Sequence, residues 1–209
     1  MKGTTAALLL LVGATACAAP GDGEGLVQSD DLIAGDCWRG PFDLRPDFFA
    51  GIPFRDSLQI RVQRGDDLAE VSDGVALLVR DVTELREREL GQPIEVGLAP
   101  QLLNTIAPGV ATGATPRVGL VLSLQRSCPA ENVALHAIDG SIVFSALFSG
   151  DPNETVGSEK LSDATFDVRV ADPREADPGT LVVPPDRISR LTGRFRFHFQ
   201  RGQPAQPFP

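Results

Sequence analysis

Few residues in this chain have the types and spacing that proton or metal chemistry needs. There are two histidines and no tyrosine. His136 lies in "NVALHAI" and His198 in "RFRFHFQR", each on one face of a stretch that alternates apolar and polar residues. His198 shares its face with Arg194, Arg196 and Gln200. Two histidines brought to Asp163 or Asp167 would make a metal site, but the spacing does not group them. Both are expected to be surface or hydrogen-bonded structural residues. No Gly-x-Ser-x-Gly elbow occurs, so Asp139-Gly140-Ser141 reads as a turn. A phosphate-cradling Gly-rich loop with Lys and a His-Glu-x-x-His helix are also missing. Acids are plentiful, yet acids line any solvated surface, and no catalytic pair is nominated. The best oxygen-ligand stretch is "SGDPNETVGSEK" (149–160), where Asp151, Asn153, Thr155 and Glu159 alternate as a calcium loop requires. It departs from the EF-hand pattern, with Val156 where glycine should stand and no closing glutamate, so a polar hairpin loop is the expectation and no metal is assigned.

The elements that must position these residues read mostly as strands. "SLQIRVQR" places Leu58, Ile60 and Val62 on one side, "TFDVRV" Phe166, Val168 and Val170, and "RFRFHFQR" Phe195, Phe197 and Phe199. A period of two with one apolar side marks a half-buried strand. The continuous runs "GVALLVRDV" (74–82), "RVGLVLSLQ" (117–125) and "SIVFSALF" (141–148) suit central strands, or a short buried helix. Asp139-Gly140 reads as a hairpin turn between "NVALHAI" and "SIVFSALF", because glycine accepts a positive φ. Two or three short helices are expected: one begun by Asp81 with Glu84 three residues on, in a capping box; a short turn capped by Asp186, running through Leu191 and ended by Gly193; and residues 100–106 as a candidate third. The expected fold class is all-β: an antiparallel β-sandwich or curled sheet of seven or eight strands with two or three short helices. Residues 163–170 and 193–200 are expected to be neighbouring antiparallel strands, with Asp163 and Asp167 available to Arg194 and Arg196.

Net charge is -9, which argues against a nucleic-acid partner. The acids concentrate in 151–186 and five arginines in 187–209, as if the two segments neutralise each other. Residues 18–35, rich in Gly, Asp and small side chains, read as flexible chain. The tail "RGQPAQPFP" carries three prolines and Phe208, which suits a clamp across the domain or, less naturally, an aromatic offered to a partner.

Met1-Lys2, an apolar stretch over 4–12 and the small residues Gly13-Ala14-Thr15-Ala16 have the three-part design of a secretory signal. The apolar core is well short of the ~20 residues that span a bilayer. Ordinary secretory cleavage after Ala16 would release a free protein. Against this, Ala14-Thr15-Ala16-Cys17 resembles the lipobox of bacterial lipoproteins, with Ala14 in place of the usual leucine. The resemblance implies cleavage before Cys17, a thioether-linked diacylglycerol on its sulfur and an acylated amino terminus. Ala18, rather than aspartate, implies outer-membrane sorting. The specific likeness to exported Gram-negative lipoproteins is confined to residues 1–18 and supplies location, not activity. If Cys17 carries lipid, Cys37 and Cys128 remain as an even pair in an oxidising compartment, to be read as a disulfide or as two buried thiols. Neither has a Cys or His neighbour at metal-ligand spacing.

The resulting organisation is a signal peptide over 1–16, a tether over 17–35, one β-rich domain over 36–202 and a Pro-rich tail over 203–209. The expected protein is anchored by lipid, without another cofactor. It acts as a non-enzymatic binding or structural module, with an envelope protein as its partner. The alternative is a hydrolase of envelope polymers using acidic residues.

Overall fold

The computed structural model describes residues 23–65, 72–97, 116–177 and 182–201. The tail over 203–209, the expected helix over 100–106 and Cys17 lie outside the described residues. Among the described residues ten strands form one antiparallel sheet: β1 (Gly23–Ala34), β2 (Trp38–Leu44), β3 (Phe48–Phe54), β4 (Ser57–Gln63), β5 (Asp73–Arg80), β6 (Pro93–Glu95), β7 (Val118–Leu124), β8 (Ala134–Ala146), β9 (Leu161–Ala171) and β10 (Ser189–His198). Their order is β2-β1-β10-β9-β8-β7-β5-β4-β3, with β6 beside β8. The two outermost strands, β2 and β3, follow each other in the chain, so the sheet must curl to bring its ends together. The class is all-β with a curled sheet, as the alternating patterns require, and has more strands than expected.

Curling gives every strand an inside. Leu58, Ile60 and Val62 of β4, Val75, Leu77 and Val79 of β5, and Phe166, Val168 and Val170 of β9 all point inward and are buried. Phenylalanine rings fill one end of the interior. Phe49 stacks on Phe197 at 5.8 Å between centroids and Phe148 on Phe199 at 4.1 Å. β9 and β10 pair from Ser189↔Val170 to His198↔Leu161, in the adjacent antiparallel arrangement expected.

Four expectations are corrected. The supposed tether is strand β1 over most of its length, paired with β10 through residues 23–28 and with β2 through 27–34. Its glycines make room: a Cβ on Gly23 would lie 2.4 Å from Phe49 Cδ2, and one on Gly25 2.8 Å from Pro46 Cγ. Backbone pairing, first with β10 and then with β2, orders the segment, and Val27, Leu32, Ile33 and Ala34 add buried side chains to the core. Asp139-Gly140 is not a hairpin turn. β8 runs through it with a register shift between Ala137 and Asp139, a bulge at which Gly140 has φ +118°. A turn was unnecessary because the first part of β8 pairs with β7 and its later part with β6.

Helix α1 (Val82–Arg88) does follow Asp81, but that residue has φ 54° and its side chain makes no capping bond. The cap comes from the β3–β4 turn, where Asp56 Oδ1 accepts from Thr83 N (3.0 Å) and Thr83 Oγ1 (2.8 Å). Asp186 sits in a single 3₁₀ turn over Pro185–Arg187, and Leu191 and Gly193 belong to β10, because Ser189, Leu191, Phe195 and Phe197 all face the core.

Candidate functional site

An open polar cleft of about 660 Å³ lies where β2, β1 and β10 meet. It arises from a local irregularity. Between Ser29 and Leu32 the register of β1 against β2 shifts, and both Asp30 and Asp31 turn to solvent where strict alternation would bury one. Asp43 of β2 faces them and accepts from Gln28 Nε2 at 3.2 Å, with Arg45 Nε at 3.6 Å. Arg190 of β10 borders the same cleft but is turned to β9, donating from Nε (2.9 Å) and Nη2 (2.5 Å) to Asp167. That hydrogen bond holds the Asp167 carboxyl below the usual range and raises Arg190 further. Among the described residues no ion pair or hydrogen bond engages the Asp30 or Asp31 carboxylate. The cleft therefore presents exposed carboxylates, with Asp30 within electrostatic reach of Arg190, to a cationic or donor-rich ligand.

Its two serines are poor nucleophile candidates. Ser189 Oγ accepts from Ile33 N at 2.8 Å, tying β10 to β1, and Ser29 Oγ is buried without a hydrogen-bond partner among the described residues. The cleft lining holds no His, Lys or Cys to act as their base. Sequence reasoning missed this place, although "SDDL" carried a signal: two adjacent acids interrupt the period of two inside an otherwise strand-compatible segment.

A smaller, mostly apolar groove of about 290 Å³ lies on the outer face of the sheet, between Leu78, Gly119, Val121 and His136. Burial lowers the pKa of His136, and the Asp172 carboxylate opposes that shift. His136 and His198 do not meet. They pair with Ala171 and Leu161 at the two ends of β9, about 33 Å apart at the usual strand rise.

The oxygen-rich loop does not gather its ligands. Asp151 Oδ1 accepts from Asn153 N (2.8 Å), Asn153 Oδ1 from Arg201 Nη1 (2.8 Å), Thr155 N donates to Glu154 Oε1 (2.9 Å), and Glu159 pairs with Arg86 of α1. Among the described residues no three His, Cys, Asp or Glu side chains cluster as a metal site would need.

Cys37 and Cys128 are bonded, with Cα atoms 5.9 Å apart. The loop presenting Cys128 is held by Asp73, a buried acid whose carboxylate accepts from Arg126 N (3.1 Å), Ser127 N (3.0 Å) and Ser127 Oγ (2.6 Å). Its role is to fix a turn, which no local pattern announces. No protein-family model matches the chain, and no curated protein or solved structure matches it significantly.

Proposed function

We propose that the protein is a lipid-anchored envelope component whose β-domain is a non-enzymatic binding module, with the cleft across β2, β1 and β10 as its recognition surface. The observation that carries this reading is the cleft's composition: exposed carboxylates, an arginine engaged with Asp167, and serines that are buried or tied to backbone rather than aimed into the cleft. A hydrolase needs its reacting groups in a water-excluded pocket, whereas Asp30, Asp31 and Asp43 are all exposed. That favours binding over hydrolysis of an envelope polymer. The odd cysteine count, the bonded Cys37–Cys128 pair and the segment before Cys17 support the anchor.

The test is a photo-crosslinking residue at position 31, activated in intact membranes. A discrete adduct, lost when Asp30→Asn and Asp43→Asn are combined, is the expected result. Labelling that is diffuse and unchanged by those substitutions would contradict the assignment of the cleft.

A further inference from the structure

We infer that the β3–β4 hairpin tip, with Phe54 at its end, is a membrane-docking element that seats the domain on the bilayer carrying its anchor. The inference rests on lipid attachment at Cys17.

Gly23 is the first residue of β1, so it lies six residue steps from Cys17, with five residues between them. Six steps reach at most about 21 Å when fully extended. The end of the domain bearing Gly23 is therefore held close to the headgroups.

The hairpin lies at that same end. Gly23 pairs with Phe197 of β10, and Phe49 of β3 stacks on Phe197. Two residues further along each strand, Gly51 lies against Phe199, so β3 runs beside β10 in the same direction, outward past the start of β1. Phe54 is five residues beyond Phe49, about 17 Å at strand rise. The tip thus projects about 17 Å past the level of Gly23, within the roughly 21 Å that the anchor segment can span, on the side from which that segment leaves the domain.

Surface chemistry agrees. Four of the six exposed large apolar side chains among the described residues belong to this end: Phe54 (67%), Val156 (53%), Ile52 (44%) and Leu90 (40%). Val156 leads into Lys160, beside the start of β9, and Leu90 precedes Gly91, whose N–H bonds Phe144 O near the end of β8. Exposed apolar groups gathered at one pole mark an interaction surface. Arg55 sits over the Phe54 ring with its guanidinium 5.3 Å from the centroid, an aromatic body with a cationic tip that suits the boundary between acyl chains and phosphates. The hairpin is also braced, since Asp56 caps α1.

The native chain contains one tryptophan, Trp38, which pairs with Ala34 at the opposite end of β1. This supplies the test. Full-length mature protein purified from membranes would be reconstituted into phosphatidylcholine vesicles with brominated acyl chains, after intact mass has established whether Cys17 carries lipid. In a Trp38→Phe, Phe54→Trp variant the new indole should be quenched by the bromines and blue-shifted, while Trp38 of the native protein is unaffected. Trp38→Phe with Val156→Trp gives a second probe should the first variant misfold by circular dichroism. Lipid on Cys17 with neither indole quenched would overturn the docking inference and leave the anchor standing. A mass without lipid, on protein that stays off the vesicles, would overturn both.

Discussion

Burial lowers the proton affinity of His136, and the sign of that shift sets a pH dependence. A histidine whose folded pKa lies below the ordinary value of about 6.5 binds fewer protons folded than unfolded in that window, so its stability contribution is lost as pH falls through it. The denaturation midpoint of the native protein should fall on going from about pH 7.5 to about pH 5, and His136→Leu should flatten that fall. Asp167 acts in a different window. Its carboxyl, lowered by Arg190, contributes fully above the ordinary carboxylate range and loses that contribution as pH falls through that range to its own lowered value. At this scale the sequence disclosed the residues acting through type and number, as with Cys37 and Cys128. It did not disclose Asp56 and Asp73, whose work is to accept hydrogen bonds from Thr83, and from Arg126 and Ser127, tens of residues away. Nor did it pair Asp167 with Arg190, because the expectation considered Arg194 and Arg196 and omitted the preceding turn of the ladder. Asp163 does lie near Arg196, at 3.9 Å.

Among the elements, the β9–β10 pair is legible because two alternating apolar faces can be buried together in only one register. Phe197 is buried and stacked on Phe49, so Phe197→Ala should cost about 3–5 kcal/mol by denaturant titration. Arg196→Ala, at an exposed and loosely held pair, should cost under about 1 kcal/mol. The reverse order would mean that charges rather than rings set the register. β8 was misread for a physical reason: Asp-Gly satisfies a two-residue turn and a bulge equally well, and only its neighbours decide. At Gly140 a Cβ would meet Asp167 O at 2.4 Å in a backbone conformation unfavourable to side chains. Gly140→Ala should therefore destabilise by at least about 1–3 kcal/mol, as a strained position does, where a solvated turn would show less. β1 was hidden because its order comes from strands on either side of it and from glycines that admit Phe49 and Pro46, both invisible in local composition.

For the whole molecule, the disulfide and the proposed anchor divide the domain into two ends. Cys37–Cys128 closes 91 residues of sequence at the end far from Gly23, which in the chain-entropy model stabilises the fold by about 4–5 kcal/mol. Denatured, unreduced mature protein should show no free thiol, and reduction should lower the denaturation midpoint; two titratable thiols would contradict the bond. Between the ends, the acidic cleft begins at Gln28, five residues up β1 from Gly23, or about 17 Å, so a seated domain would hold it above the headgroups and open to a partner. The curled all-β class was legible from strand patterning, whereas the cleft was not, because it depends on a register shift between strands distant from β10 in the chain. The account depends most on the anchor, and the direct measurement is the distribution of Cys17→Ser between membrane and soluble fractions, with the intact mass of the native protein. The account predicts a native mass carrying diacylglycerol and an acyl chain on a chain beginning at Cys17, and release of the variant from the membrane. A native chain of unmodified mass, or a variant that stays on the membrane without lipid, would contradict it.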